Sequence, residues 1–177
     1  KPFNFVDGEG VRCSLYLSGC KFHCEGCYNQ ATWNFRYGSP YTKELEERIM
    51  TDLSQSYVQG LTLLGGEPFL NTGVALPLVK RIRAELPEKD IWSWTGYTWE
   101  ELLQEDETKL ELLRNIDILV DGRFKLSKKN LLLQFRGSSN QRIIDVKKSL
   151  AEHRVVIWEK LNDGKAAVEQ IHKEKLI

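Results

Sequence analysis

The sequence predicts an α/β fold, an open partial (β/α) barrel of about five to six mostly parallel strands. Short apolar segments typical of strands alternate along the chain with amphipathic segments typical of helices. Strands separated by helices pair in parallel through right-handed crossovers. The 177 residues hold too few such strands for a closed eight-stranded barrel, so we expect an open or strongly curved sheet.

The first half of the chain supplies two predicted strands and one helix. Residues 11–18 alternate between an apolar face (Val11, Cys13, Leu15, Leu17) and a more polar face, which predicts a strand with Cys13 as a buried core thiol. After a long loop, Thr42 can cap a helix that runs to about Ser56. Residues 61–64 are predicted to be a short buried strand that leads into Gly65-Gly66-Glu67-Pro68.

The second half continues the alternation and then becomes ambiguous. A helix with Leu76, Val79, Ile82 and Leu86 on its inner face is predicted to end at Pro87. Residues 91–95 follow as a strand, Thr98 and Glu101 form the capping box of another helix, and residues 116–121 form the next strand. Residues 131–136 and 155–158 are predicted strands, and residues 140–150 are compatible with helix or strand.

Composition narrows the function classes. The 25 Lys and Arg residues balance the 25 Asp and Glu residues, so no bulk field favours nucleic acid or a membrane surface as partner. No apolar stretch approaches the length of a membrane span. The four cysteines lie close together near the start of the chain, which favours a metal site in a reducing cytoplasm over a disulfide scaffold. Lys1 is not an initiator methionine, so we expect a short segment to precede it.

Three cysteines carry the strongest chemical signal. Cys20, Cys24 and Cys27 are spaced C-x3-C-x2-C. Three thiolates can hold three corners of a 4Fe-4S cluster and leave the fourth iron open to a ligand. Zinc remains an alternative, because His23 could complete a site of three cysteines and one histidine. The adjacency of His23 and Cys24 favours the cluster, because compact zinc sites usually draw ligands from two separated segments.

Further motifs follow the other predicted strands. Because the carboxyl ends of parallel strands meet at one edge of a sheet, we expect the cysteine loop, Gly65-Gly66-Glu67, Thr95-Gly96-Tyr97 and Asp121-Gly122-Arg123 to lie together. The two glycines leave backbone polar groups open to a zwitterionic amino acid. Glu67 can accept a hydrogen bond from an ammonium group or orient the loop. Arg123 can bind a carboxylate through two hydrogen bonds or form a surface ion pair.

The cysteine loop followed by Gly-Gly-Glu-Pro resembles the radical S-adenosylmethionine superfamily. Further segments are similar to the family that activates anaerobic ribonucleoside-triphosphate reductases, a group of glycyl-radical activating enzymes. Those segments are Gly8 to Arg12, Ser18 to Cys20, Cys24 to Asn29, Trp33, Trp94 to Tyr97, Val120 to Gly122 and Arg136 to Gln141. The resemblance runs from about Asp7 to Arg142 and implies a single radical S-adenosylmethionine domain over residues 1–177, with residues 166–177 as a C-terminal helix or tail.

The resemblance also implies a site and an activity. Cys20, Cys24 and Cys27 would bind one 4Fe-4S cluster. S-adenosylmethionine would contact Gly65, Gly66 and Glu67 through its ammonium group and Arg123 through its carboxylate. Gly26 and Tyr28, which flank Cys27, would lie near its adenine, and Thr95 and Asp121 near its ribose or its surroundings. Reductive cleavage would yield a 5′-deoxyadenosyl radical that takes a hydrogen atom from a glycine in the C-terminal loop of the reductase, in support of anaerobic deoxyribonucleotide synthesis. No side chain serves as a catalytic acid or base.

Four cysteines cannot supply additional clusters, so the electron would come from outside, from a flavodoxin or a ferredoxin. Arg123 stands where related activating enzymes often have lysine. Two other functions stay open on the sequence. One is a radical enzyme acting on a small molecule, such as a 7-carboxy-7-deazaguanine synthase, and the other is a zinc-binding interaction module without catalysis.

Overall fold

The computed structural model describes residues 1–159, and within them five strands form one mixed sheet. The strands are β1 (Val11–Leu17), β2 (Val58–Gly65), β3 (Asp90–Trp94), β4 (Ile118–Asp121) and β5 (Arg142–Asp145), in that spatial order. The first four pair in parallel, and β5 pairs with β4 in antiparallel orientation. The predicted α/β class and the mostly parallel sheet are confirmed. The predicted helix or tail at residues 166–177 lies outside the described residues.

The helices connect the strands as the sequence predicts, with one addition. They are α1 (Lys43–Leu53), α2 (Thr72–Glu85), α3 (Trp99–Leu102), α4 (Glu107–Arg114) and α5 (Val146–Glu152). Thr42 caps α1 by accepting from the Leu45 amide, and Thr98 and Glu101 form the predicted capping box of α3. A separate helix α4 follows, because Asp106 provides a new N-cap. One helix was predicted between β3 and β4, and the structure has two.

Two of the later predicted strands are wrong. Residues 131–136 form turns, with Leu131 87% exposed, so this apolar stretch does not pair with the sheet. Arg142–Asp145 takes the position beside β4 instead. Residues 155–158 make only an isolated bridge between Ile157 and Ile144. The ambiguous segment 140–150 contains both a strand and a helix, because Asp145 ends β5 and caps α5.

The sheet is buried on both faces. One face packs against the helices and contains the largest apolar cluster, which includes Cys13, Leu61, Phe69 and Ile82. The opposite face carries a second cluster around Trp92, and next to it Arg12 is fully buried. The Arg12 guanidinium group donates to the Thr62 hydroxyl group at 2.7 Å and pairs with Asp90 at 2.5 Å. Trp94 and Phe135 pack against this second cluster, and both also line the cavity described below.

Candidate functional site

A cavity of about 570 Å³ opens at the carboxyl edge of β1 to β4. That volume is within the range of about 300–1,000 Å³ of small-molecule sites. Most of the predicted site residues line it: Cys20, Cys24, Gly26, Cys27, Tyr28, Gly65, Gly66, Glu67 and Thr95. The motifs at three separate strand ends therefore converge on one cavity, as parallel pairing predicts. Asp121 and Arg123 are not among its lining residues.

Backbone hydrogen bonds hold the cysteine loop in place. The Gly19 amide donates to the Thr32 carbonyl at 2.7 Å, and the Cys20 amide donates to the Trp33 carbonyl at 3.2 Å. Gln30–Trp33 is a short 3-10 helix that returns the chain along the loop. The Cys27 amide donates to the Cys24 carbonyl at 3.1 Å, which closes a turn between these two cysteines. These backbone bonds fasten the start of the loop and its last turn.

The cysteine side chains suit an iron-sulfur cluster. Cys20, Cys24 and Cys27 are free thiols of intermediate burial on the cavity wall. Burial raises the pKa of Cys20 and of Cys24, and soft thiolate ligands favour iron-sulfur clusters and zinc. Within residues 1–159, no three His, Cys, Asp or Glu side chains converge on a point that one metal ion could occupy. A cubane cluster does not require such convergence, because each thiolate binds a different iron.

Phe22 joins the cysteine loop to the ends of β3 and β4. The Arg123 guanidinium carbon lies 4.5 Å from the centre of the Phe22 ring, and Tyr97 meets that ring edge-on at 4.9 Å. A Cβ atom on Gly96 would lie 2.2 Å from the ring, so only glycine fits beneath it. Arg123 also donates to Glu101 at 3.0 Å. Arg123 therefore packs on the outside of the cysteine loop.

The two glycines after β2 allow the cysteine loop to pass close to the sheet. A Cβ atom on Gly66 would lie 2.5 Å from the Gly19 carbonyl oxygen, and Gly65 has a φ of +110° that favours glycine. The Gly66 amide donates to the Leu17 carbonyl at 2.6 Å, and the Glu67 amide donates to the Gly19 carbonyl at 2.8 Å. The segment thus extends the contact between β1 and β2 into the first residues of the cysteine loop.

The Glu67 carboxylate group is fully buried and binds protein groups. It accepts from the Thr95 hydroxyl group at 2.8 Å and from the Gly96 and Phe69 amides at 2.7 and 3.1 Å. Burial raises the pKa of Glu67 to about 7, although these hydrogen bonds oppose the shift. Of the two roles considered for Glu67, the contacts support the one in which it orients the loops after β2 and β3.

Stability should depend on pH through Glu67. Its pKa is raised from 4.5 to about 7, so the native state binds more protons than the unfolded state between these values. Its contribution is fully present below pH 4.5 and is lost as pH rises through 7, which lowers the free energy of unfolding by up to about 3 kcal/mol. Denaturant unfolding of metal-free wild type and Glu67→Gln from pH 4 to 8 tests this. Since other groups cancel in the comparison, the variant should gain relative to wild type as pH rises. A constant difference would contradict the shift.

Asp121 is occupied by structural contacts. It is 1% exposed. Its carboxylate accepts a hydrogen bond from the Trp99 amide at 2.8 Å, and its Oδ1 atom accepts another from Arg142 Nε at 3.0 Å. Arg142 pairs with Glu100 as well. Asp121 therefore ties the end of β4 to the start of α3 and to β5.

We expect Asp121→Asn to destabilise the protein by about 1–3 kcal/mol, because it removes the charge that Arg142 and the Trp99 amide share. Solvent weakens this ion pair, because the Arg142 side chain is 32% exposed. Thermal unfolding measures the change. Glu100→Gln is the matched control, because it removes an exposed partner of the same arginine and should cost less than about 1 kcal/mol. Weakened S-adenosylmethionine binding with unchanged stability would contradict the structural role.

The cavity includes residues that were not predicted to line the site. Asn29, Trp33, Trp94, Phe124, Phe135, Arg136 and Gln141 are part of its wall. Several of them belong to the sequence segments that resemble the family. That resemblance was the signal that could have identified them. Gln141 donates to the Gly122 carbonyl at 3.0 Å, and its carbonyl oxygen accepts from the Gly137 amide at 3.0 Å. Residues 136–141 therefore fasten the loop after β4.

Comparison with known proteins identifies the family of this chain. The chain matches the family described as a 4Fe-4S single cluster domain over residues 6–144. The anaerobic ribonucleoside-triphosphate reductase-activating protein of Pasteurella multocida (strain Pm70) is 46% identical over 144 residues, 79% of this chain and 90% of that protein. The proteins of the same name from Escherichia coli (strain K12) and Enterobacteria phage T4 are 45% and 44% identical, over 79% and 80% of this chain and 92% and 88% of their own lengths.

The fold, the cysteine loop and the family match define a protein with a single 4Fe-4S cluster domain. Within residues 1–159, no helix combines the length and apolar character that crossing a bilayer requires. The chain belongs to the family of anaerobic ribonucleoside-triphosphate reductase-activating proteins. The family resemblance inferred from the sequence is confirmed.

Proposed function

We propose that this chain is a radical S-adenosylmethionine enzyme that generates a glycyl radical on an anaerobic ribonucleoside-triphosphate reductase. The observation that carries the proposal is the cavity in which three free cysteines face the glycine-rich ends of β2 and β3. The names of the relatives support the choice of partner. The glycine that receives the radical would lie in the C-terminal loop of the reductase.

The residues divide into two groups. Cys20, Cys24 and Cys27 would hold one 4Fe-4S cluster. Gly26, Tyr28, Gly65, Gly66 and Thr95 line the cavity and would surround S-adenosylmethionine. Glu67 would act by fixing the loops after β2 and β3, given its three protein donors. Asp121 and Arg123 would act from behind the wall, through Arg142 and Phe22.

When bound, the cluster supplies an electron for the reductive cleavage of S-adenosylmethionine. The chain itself binds, orients and excludes water, and needs no side-chain acid or base for this reaction. Aromatic side chains in the cavity wall, including Trp94 and Phe135, would keep solvent away from the reacting groups. We also propose that the five-stranded sheet curves to form the wall of an open partial barrel. The electron donor would be a flavodoxin or a ferredoxin in the cytoplasm.

The proposal is tested by spectroscopy on the anaerobically purified protein. Such protein should be brown, with a broad absorption band near about 400 nm from sulfur-to-iron charge transfer. After reduction, mixing with S-adenosylmethionine and the reductase from the same organism should give a glycyl doublet in the EPR spectrum, together with 5′-deoxyadenosine. Colourless protein with stoichiometric zinc would overturn the proposal. Formation of 5′-deoxyadenosine without a doublet would overturn the choice of substrate.

A further inference from the structure

The most exposed apolar side chains of the described chain surround the mouth of the cavity. Five large apolar residues in residues 1–159 are at least 70% exposed: Phe5 (72%), Val6 (70%), Tyr28 (88%), Leu131 (87%) and Leu132 (70%). Val6, Tyr28 and Leu131 line the cavity, and the other two are their neighbours in the chain. A contiguous exposed apolar patch usually marks a binding surface. We call these five residues the apolar rim.

The segment that carries Leu131 and Leu132 of this rim is strongly cationic. Residues 122–144 contain six Lys or Arg residues and no Asp or Glu, although the whole chain has no net charge. Arg123 and Arg142 are paired with glutamates. Lys125, Lys128 and Lys129 are exposed, and none of the ion pairs within residues 1–159 involves them. Unpaired lysines beside exposed leucines leave both apolar area and charge for a partner to satisfy.

The cationic segment adjoins the cysteine loop. A Cβ atom on Gly26 would lie 2.9 Å from the Leu126 side chain, so Leu126 lies directly against the last turn of the loop. Lys129 and Asn130 line the cavity with Leu131. A macromolecule seated on this segment would therefore cover the opening through which the cavity is reached.

We infer that the apolar rim together with Lys125, Lys128 and Lys129 is the docking surface for the reductase, whose matching surface is an apolar loop flanked by carboxylates. The inference rests on the proposed function and names the partner surface of the same site. Charge complementarity selects this occupant, because the lysines would remain unpaired against a neutral or basic surface. Apolar contacts from the rim would hold the loop over the cavity, and the lysines would speed its approach.

Two variants outside the cavity wall test the surface. Leu132→Ser removes an exposed apolar contact, and the double variant Lys125→Glu/Lys128→Glu reverses two charges. Neither changes a residue that lines the cavity. The matched control is Lys43→Glu/Arg48→Glu, which makes the same charge change on exposed residues of α1. All proteins are reduced with dithionite, so that a natural electron carrier is not needed.

We expect both test variants to raise the reductase concentration for half-maximal glycyl radical formation by at least about 10-fold. The charge variant should lose this defect as salt rises, unlike Leu132→Ser. The control should match wild type. Unchanged half-saturation in the test variants, or an equal change in the control, would overturn the inference. A defect seen only when a flavodoxin replaces dithionite would overturn it too, because the surface would then serve the electron donor.

Two further measurements separate this inference from the proposed function. Formation of 5′-deoxyadenosine without reductase reports cofactor cleavage alone and should stay within about 2-fold of wild type in both test variants. Direct binding of purified reductase, measured anaerobically, reports docking alone. If wild type cleaves no S-adenosylmethionine, the proposed function fails while the binding measurement still tests the surface. If cleavage is intact and the variants bind normally, only the docking inference fails.

Discussion

Replacing Cys24 with alanine should abolish the cluster and with it all cleavage of S-adenosylmethionine. Cys24 is the middle ligand of the predicted set. Within residues 1–159, the loop has no thiol besides Cys20 and Cys27, so none is left to replace it. Two thiolates cannot hold a cubane cluster that already has one open iron. We expect the iron content and the absorption at about 400 nm to fall to background. Formation of 5′-deoxyadenosine should fall by at least about 100-fold.

The matched control for this experiment is Cys13→Ala. Cys13 is also a free cysteine, but it is 3% exposed in the core between the sheet and the helices. Burial raises its pKa to about 11, so it is an inert thiol. The control should keep the cluster and lose at most about 1–2 kcal/mol of stability through the small cavity it leaves. Full iron content in Cys24→Ala, or its loss in Cys13→Ala alone, would refute the ligand assignment.

Gly66→Ala should disable the site by steric means. The new Cβ atom would lie within 2.5 to 2.9 Å of three backbone atoms of Gly19, which no rotamer change can relieve. The backbone that leads into Cys20 would have to move, and the hydrogen bond from the Glu67 amide to the Gly19 carbonyl would be lost or stretched. We expect a loss of about 1–3 kcal/mol in unfolding free energy. The iron content should fall further than this loss of stability alone would cause. Denaturant unfolding and iron analysis measure the two effects.

Gly73→Ala is the control, because the same atom is added at a position with no other atom within 4 Å. Gly73 lies in the first turn of α2, where alanine should stabilise the helix by up to about 1 kcal/mol. A normal cluster in Gly66→Ala would mean that the cysteine loop can shift without consequence. That result would contradict the tight contact between Gly66 and Gly19.

Local signals predicted the parts of the fold that depend on near neighbours. The capping box of Thr98 and Glu101 needs only four residues, and parallel pairing was enough to bring the strand-end motifs together. The prediction from apolar residues failed at residues 131–136, because exposed leucines in a turn give the same local sequence signal as a buried strand. Helix α4 was missed because the start signal at Asp106 closely follows the end of α3.

The directions of long-range side chains could not be predicted from the sequence. Asp121 meets Arg142, which is 21 residues away, and Arg123 lies over Phe22 in a loop that precedes it by three strands and four helices. With the same local sequence, the side chain of Asp121 or of Arg123 could point into the cavity or away from it. Only the packing of Phe22 against Gly96 and Tyr97 shows which side Arg123 takes.

The backbone hydrogen bonds of the cysteine loop have a consequence for biogenesis. Bonds from Gly19 to Thr32 and from Cys20 to Trp33 join backbone groups, so we expect this part of the loop to keep its shape independently of bound iron. Small zinc domains differ, since metal binding supplies their folding energy. We expect the cluster here to enter a loop whose start is already fastened to the segment that follows it.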